Sequence, residues 1–295
     1  MRIAVTGASG FVGRHLLARL AGTHGVRALI RDRPGAERGL PGTAAALDVR
    51  RIDVRRPETL RGSFDGIDAV VHTVAVPTER RQRFAEVNVA GTAHVVAEAR
   101  RAGVNRLVHM SAIGADRVSP YPFLRSKGEG EALVTGSGIP HVVLRPSLLF
   151  GPGDDFFPRL LFSLRFPVVP VPGDGKARFQ PIHVDDIALA LVAALERSDI
   201  RGLHELGGPE VVVYDEMLAE TMRATSRRRL TIHLPVAAMK PAAAIMGLVM
   251  SDPPVTVQQL DLLAVDNTPR LNAAEPVFGV TPRPFRGALG YLARN

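Results

Sequence analysis

At 295 residues and 46% hydrophobic, the chain is long and apolar enough for one large α/β domain or a nucleotide-binding domain with a smaller appendage, and the absence of cysteine excludes disulfides, thiolate nucleophiles and cysteine metal sites. Lys+Arg 37 against Asp+Glu 29 leaves a charge of +8, mostly arginine in scattered pairs such as Arg50-Arg51 and Arg100-Arg101 that read as solvated surface. With no tryptophan and three tyrosines there is no base-stacking platform, so no nucleic-acid partner is expected, while an anionic membrane or an acidic protein partner stays open.

In chain order, RIAVTG predicts a strand, FVGRHLLARLA a helix and VRALIRD a second strand. LDVRRIDV predicts a third strand, PETLRGSF a short helix and DAVVHTVAV a fourth strand. A long helix is predicted near positions 79 to 102, then the strand NRLVHMS, a helix at about 122 to 136 and the strand HVVLRPS. Strict alternation of strand and helix implies parallel strands joined by crossover helices, a Rossmann-like doubly wound α/β fold. After Phe150 the chain turns dense in proline and glycine, and HVDDIALALVAALERS and LHELGG predict a helix and strand that return to the sheet. The expected division is residues 1–150 plus 178–208 as the nucleotide-binding domain, with 151–177 and 209–295 as a small C-terminal lobe.

Because MRIAVTGASG enters a strand and glycine turn directly, no signal peptide is expected, which predicts a cytoplasmic protein. The apolar stretch LPVAAMKPAAAIMGLVM is interrupted by Lys240 and Pro241 and falls short of the roughly 20 residues a spanning helix needs. It predicts a lobe helix, with an interfacial or partner-binding surface as the alternative. No transmembrane segment is expected, and peripheral placement at the inner face of a membrane or in a protein complex stays open.

TGASGFVG places Gly7, Gly10 and Gly13 after a strand and at the opening of a helix. Glycines there let the backbone turn tightly and approach a pyrophosphate, whose charge meets the N–H groups at the helix start. A dinucleotide is therefore expected. Where an NAD site places an acid at the end of the second strand, this chain has Arg31, Asp32 and Arg33. Guanidinium groups suit a 2′-phosphate, so NADP is favoured, and Asp32 keeps NAD open. Asp53 is placed to accept from the adenine amino group, or else is a turn or capping aspartate.

With TGASGFVG, the NVAGT stretch, HMSAIGA, RPSLLFGPGDD and FQPIHVDDIA in this order, the chain resembles the extended and atypical short-chain dehydrogenase/reductase superfamily. Within it, the chain is similar to the group holding the nucleotide-binding accessory subunit of respiratory complex I and its stand-alone bacterial relatives. The resemblance implies a cofactor site made of Gly7, Ser9, Gly10, Phe11, Val12, Gly13, Arg31, Arg33, Asp53, Val54, Thr73, Ala75, Lys127 and Pro146. It also implies Ser111 as the serine that steadies substrate and Lys127 as the lysine that holds the nicotinamide ribose. Active members carry a proton-transferring tyrosine one helical turn before that lysine.

In SPYPFLRSKGEGE that place belongs to Phe123, which cannot exchange a proton. Tyr121 sits about 240° round the helix from Lys127, and Pro122 places it ahead of the helix altogether. The expected function is an NAD(P)(H)-binding accessory or sensor protein without the usual tyrosine acid. The alternative is an NADPH-dependent oxidoreductase or epimerase on a small apolar carbonyl or quinone compound, its proton supplied by water, Ser111 or a displaced Tyr121. A redox-sensing transcriptional partner ranks below both. A lipid- or quinone-like ligand is compatible with apolar pieces such as FFPRLLFSL. No metal is expected: His183, Asp185 and Asp186 precede an apolar helix as a natural N-cap. Asn88 fits a relay asparagine or a buried amide satisfied by backbone, and Gly91 reads as close packing.

Overall fold

A computed structural model describes residues 1–31, 35, 37, 40, 47–79, 82–250 and 255–294. Its elements run β1 (Arg2–Thr6), α1 (Phe11–Leu20), β2 (Gly25–Ile30), β3 (Asp48–Arg51), α2 (Pro57–Leu60), β4 (Ala69–His72), α3 (Gly91–Arg101), β5 (Arg106–Met110), α4 (Pro122–Thr135) and β6 (His141–Pro146). There follow β7 (Leu149–Phe150), α5 (Phe156–Ser163), β8 (Val168–Pro172), β9 (Arg178–Phe179), β10 (Ile182–His183), α6 (Val184–Glu196) and β11 (Gly202–Leu206). The chain ends with β12 (Val212–Val213), α7 (Tyr214–Ala224), β13 (Leu230–Leu234), α8 (Val236–Val249), α9 (Val257–Leu262) and a final 3-10 turn, Leu289–Arg294.

Two compact units divide these elements. The first comprises Met1–Pro146, Val184–Leu206 and Leu271–Thr281; the second comprises Ser147–His183, Gly207–Arg270 and Pro282–Asn295. In the first unit, strands in the order β11-β6-β5-β4-β1-β2-β3 make a seven-stranded sheet, every pairing parallel. The fold is thus the Rossmann-like α/β arrangement that the alternation predicts. Central strands are buried on both faces, which is why AVVH in β4 and RLVHM in β5 read as continuous runs rather than alternating ones. At the sheet edge, β3 is largely exposed. There Asp48 lies between Arg27 (2.5 Å) and Arg50 (3.3 Å), and these two cations hold its carboxyl below the usual range against the opposing effect of partial burial.

The helix predicted from about position 79 starts later. Glu79 stays outside it and accepts a hydrogen bond from the Phe84 N–H at 2.8 Å, and the first turns, Ala85–Ala90, are wound as π-helix before α3 begins. Lengthened turns of this kind recur at functional sites.

Arg106, at the start of β5, is buried. Its guanidinium donates to the carbonyls of Ala194, Arg197 (2.7 Å) and Ile200 (2.8 Å), joining the end of α6 to the sheet. The Arg197 carbonyl also accepts from the Ile200 N–H at 3.3 Å, so the carbonyls of Ala194 and Ile200 are the ones that depend on Arg106. Replacing Arg106 with Met keeps the stem and removes the donors, so urea unfolding should report a loss of about 2 kcal/mol, near 1 kcal/mol for each of the two abandoned acceptors. An unchanged unfolding midpoint would mean water serves those carbonyls equally well.

The second unit packs around Phe150, Phe157 and Phe285, whose rings meet at 5.4 to 6.4 Å. Asp154 is buried beside them and accepts from the Phe157 N–H (2.9 Å), the Gly151 N–H (3.3 Å) and the Tyr291 hydroxyl. Burial raises its pKa, and those bonds oppose the rise. Asp154 therefore braces a loop. Among the described residues no helix is long and apolar enough to cross a membrane.

Candidate functional site

The turn after β1 is shaped by its glycines. Gly7 has φ +76°, a left-handed value that a side chain would strain, and its N–H donates to the Leu29 carbonyl at 3.2 Å. A Cβ on Gly7 would stand 2.7 Å from Thr73 Oγ1, and one on Gly13 would stand 2.2 Å from the Gly7 carbonyl oxygen. The loop, α1 and the end of β4 are thus packed at distances only glycine permits. Gly10 is the extended N-cap residue of α1, and no acidic residue stands in the first turn. Within the helix the first bond is Arg14 N–H to Gly10 O, which leaves the N–H groups of Phe11, Val12 and Gly13 without helical acceptors.

A cleft of about 340 Å³ lies over this turn, within the first unit. Gly7, Ser9, Gly10, Phe11 and Val12 form one side. Arg31, Asp53 and Val54 stand at the ends of the second and third strands, and Thr73 and Ala75 follow β4. Ten of the residues expected from sequence therefore border one space. Gly13 lies under the loop, and Lys127, Ser111 and Pro146 do not border the cleft. Asp32 and Arg33 lie outside the described residues. Gln82, Val74 and Val76 also line the cleft and were not anticipated: Val74 falls between the expected Thr73 and Ala75, and Val76 and Gln82 lie beyond them.

Asp53 has the geometry of a turn aspartate: Oδ1 accepts from the Arg55 N–H at 3.0 Å, and the Arg55 guanidinium grips both carboxylate oxygens. This hydrogen-bonded pairing lowers the Asp53 pKa, and Arg31 adds a smaller electrostatic pull in the same direction. The adenosine end expected from sequence therefore has two guanidinium groups and one carboxylate already partnered.

Further along, α4 begins at Pro122, with Tyr121 as the extended residue ahead of it. Phe123 packs against Phe84, ring centroids 5.8 Å apart. Lys127 is buried and donates from Nζ to the Met110 carbonyl at 2.6 Å. Burial pulls its pKa down to about 8, with Glu131 opposing. Glu131 is itself held by Arg145 at 2.7 Å. Ser111 Oγ is buried and has no hydrogen-bond partner among the described residues. Asn88 exchanges two hydrogen bonds with the Val76 backbone (2.9 and 3.2 Å) and donates to Ser126 Oγ at 3.0 Å, so its amide is satisfied internally. Gly91 allows close packing, since a Cβ there would stand 2.8 Å from Val54.

Beneath these residues two histidines occupy facing register positions on β4 and β5. His72 and His109 stack with ring centroids 5.2 Å apart. His72 bonds the Thr6 (2.7 Å) and Thr92 (3.1 Å) hydroxyls, whereas neither nitrogen of His109 has a partner among the described residues. Burial first, then the Lys127 charge, pushes His72 down to about 3 and His109 well below its ordinary value.

Asp185 is paired with His15 at 2.6 Å. Among the described residues no group of three or more His, Asp and Glu is arranged to hold a metal ion.

Residues 3–205 match the NAD dependent epimerase/dehydratase family. The mitochondrial NADH dehydrogenase [ubiquinone] 1 alpha subcomplex subunit 9 of Arabidopsis thaliana is 31% identical over 229 residues, covering 74% of this chain and 56% of that protein. A 4-hydroxy-2-methyl-3-oxo-4-farnesyl-3,4-dihydroquinoline-1-oxide ketoreductase of Stigmatella aurantiaca is 31% identical over 222 residues, covering 67% of this chain and 65% of that enzyme. The chain thus spans less than two thirds of the length of these relatives. MoeE5, solved with UDP-glucuronic acid and NAD, superposes with a TM-score of 0.75 at 25% identity over 100% of this chain and 99% of its own. A glycine turn that only this packing explains, at the head of a seven-stranded parallel sheet, and a family match over most of the sheet's residues agree: the chain belongs to the NAD-dependent epimerase/dehydratase family of extended short-chain dehydrogenases/reductases.

Proposed function

We propose that the protein binds NAD(P)(H) in the cleft over the glycine turn and acts as a nucleotide-binding accessory or sensor protein without tyrosine-based proton transfer. The observation that carries this reading is Phe123, which stands one helical turn before Lys127 on α4 and packs against Phe84. The glycine turn fits the group, because Gly7 and Gly13 leave backbone where a Cβ would intrude. The N–H groups at the start of α1 hold the pyrophosphate, and Arg31 at the end of β2 favours a 2′-phosphate, hence NADP over NAD. When bound, the nicotinamide supplies hydride. Lys127 keeps one donor on Met110 and offers its others to the ribose.

Likeness to a respiratory-complex subunit supports the accessory role, and with it association with a protein complex or a membrane face. A second reading, an oxidoreductase on an apolar carbonyl or quinone, is favoured by Ser111, whose buried hydroxyl has no hydrogen-bond partner among the described residues, and by likeness to a ketoreductase. Titration with NADPH and NADH should give saturable binding with NADPH the tighter. A panel of ketones, aldehydes and quinones should then elicit no rapid oxidation. Rapid turnover that is lost in Ser111→Ala and kept in Tyr121→Phe would establish the second reading instead. Failure to bind either nucleotide would overturn both.

A further inference from the structure

The second unit encloses a cavity of about 320 Å³ built by α5, α8 and α9. Its wall is apolar almost throughout: Phe156, Leu160, Met239, Met246, Leu260 and Leu263 contribute side chains. This is within the size range of small-molecule sites. The two methionines on α8 are unbranched and adjust to irregular shapes.

Four residues bring polar groups to this wall, and Arg159 is the charged one among them. Ser163 lines it, but its hydroxyl turns back to the Leu160 carbonyl at 2.6 Å. The Gln259 carbonyl oxygen accepts from the Thr256 N–H at 3.0 Å, which leaves the amide nitrogen as the group that Gln259 can offer. Tyr214 lines the cavity too; its backbone N–H is bound to the Ala177 carbonyl at 3.0 Å, and no hydrogen bond joins its hydroxyl to a described residue. Burial raises the Tyr214 pKa to about 12, so the hydroxyl keeps its proton and remains a donor. The hydroxyl opens onto the cavity, where a ligand oxygen can take the place of water as its acceptor. A sugar nucleotide brings two phosphates and many hydroxyls, more than one guanidinium, one phenol and one amide can satisfy.

From these residues we infer that the second unit holds a binding site for a single apolar chain, aliphatic or isoprenoid, that ends in one hydrogen-bond-accepting oxygen, with Tyr214 and Gln259 as the donors. The site shares no lining residue with the nucleotide cleft. The helix that forms its wall also exposes Ile245 at 62%, Leu248 at 88% and Val249 at 80%, which favours delivery of the chain from a lipid surface rather than from free solution.

The test uses the full chain without nucleotide and the fluorescent fatty acid 11-(dansylamino)undecanoic acid as reporter. Its emission should rise saturably and be displaced by tridecan-2-one, dodecan-1-ol and farnesol. The better of the aliphatic and isoprenoid competitors identifies the chain type. Along an alkan-2-one series, affinity should increase about fourfold per methylene until the cavity is full and then level off. Tyr214→Phe should weaken tridecan-2-one about tenfold and leave tridecane unchanged, a split that a loss of packing would not produce. Ala242→Phe, which fills the cavity, should abolish displacement with NADPH affinity unchanged, and Leu248→Ser with Val249→Ser should leave the soluble ligands unaffected. Absence of saturable binding overturns the inference. So does equal weakening of ketone and alkane by Tyr214→Phe, or loss of binding in the Leu248/Val249 variant, which would mean adsorption to the exposed helix.

Discussion

Replacing Gly13 with alanine is expected to cost the protein at least 100-fold in NADPH affinity and about 3 kcal/mol in stability. The added Cβ would stand 2.2 Å from the Gly7 carbonyl oxygen and 2.8 Å from Ala8 Cα, and these are backbone atoms that no rotamer change can move aside. Relief requires α1 to withdraw from the turn, and overpacking of this kind typically costs about 1–3 kcal/mol. The same withdrawal carries the N–H groups of Phe11 and Val12 away from any bound pyrophosphate. Gly25→Ala is the matching control, since its Cβ would meet nothing nearer than 3.6 Å. That variant should bind and melt like the wild type. If Gly13→Ala kept wild-type nucleotide affinity in a calorimetric titration, the turn would not be the pyrophosphate cradle.

The second large effect concerns acid. His72 and His109 are neutral in the fold, with pKa values depressed by burial and by Lys127. In the unfolded chain each takes a proton near its ordinary pKa of about 6.5. Below that pH the unfolded state binds more protons than the folded one, so stability falls as pH falls. The loss continues for His72 until about pH 3. Each histidine contributes a slope of about 1.4 kcal/mol per pH unit, so the pair removes about 5 kcal/mol between pH 6.5 and 4.5. That is comparable with the whole stability of many domains.

His109→Phe separates this effect from carboxylate titration. Because neither nitrogen of His109 has a partner among the described residues, the substitution abandons no hydrogen bond there. Any overpacking by the phenyl ring is the same at every pH. Urea unfolding at pH 6.5 and 4.5 should therefore show the variant losing about half as much as the wild type. Equal losses would mean that His109 accepts its proton without unfolding.

Much of the nucleotide half was readable from residue order, because its determinants are local. Three glycines between a strand and a helix specify the turn, and Pro122 announces the start of α4, with Tyr121 before it as expected. The phase of Phe123 against Lys127 needs only the helical repeat. What was not readable depends on distant partners. Arg106 looks like one more surface arginine until the carbonyls of Ala194, Arg197 and Ile200 are brought to it from 88 to 94 residues away. The His72–His109 stack depends on the register of two strands, and Gln82 enters the cleft wall from a segment without a motif. The late start of the helix before α3 depends on Glu79 acting as a side-chain cap, where its helix-forming tendency points the other way.

The charged edge of the sheet has a bearing on how copies of this chain meet. A strand with one side unpaired is a template on which another molecule can lay a strand of its own, and among the described residues β3 has a paired strand on one side only. Asp48, Arg50 and Arg51 follow one another along it, and its burial is slight. Arg50 is paired with Asp48 and Arg51 with Glu37, so two copies brought together at this edge would have to bury the same charged pairs. A charged edge of this kind works against growth of the sheet from one molecule to the next. Its reach is set by screening, about 10 Å in dilute buffer and about 3 Å in molar salt.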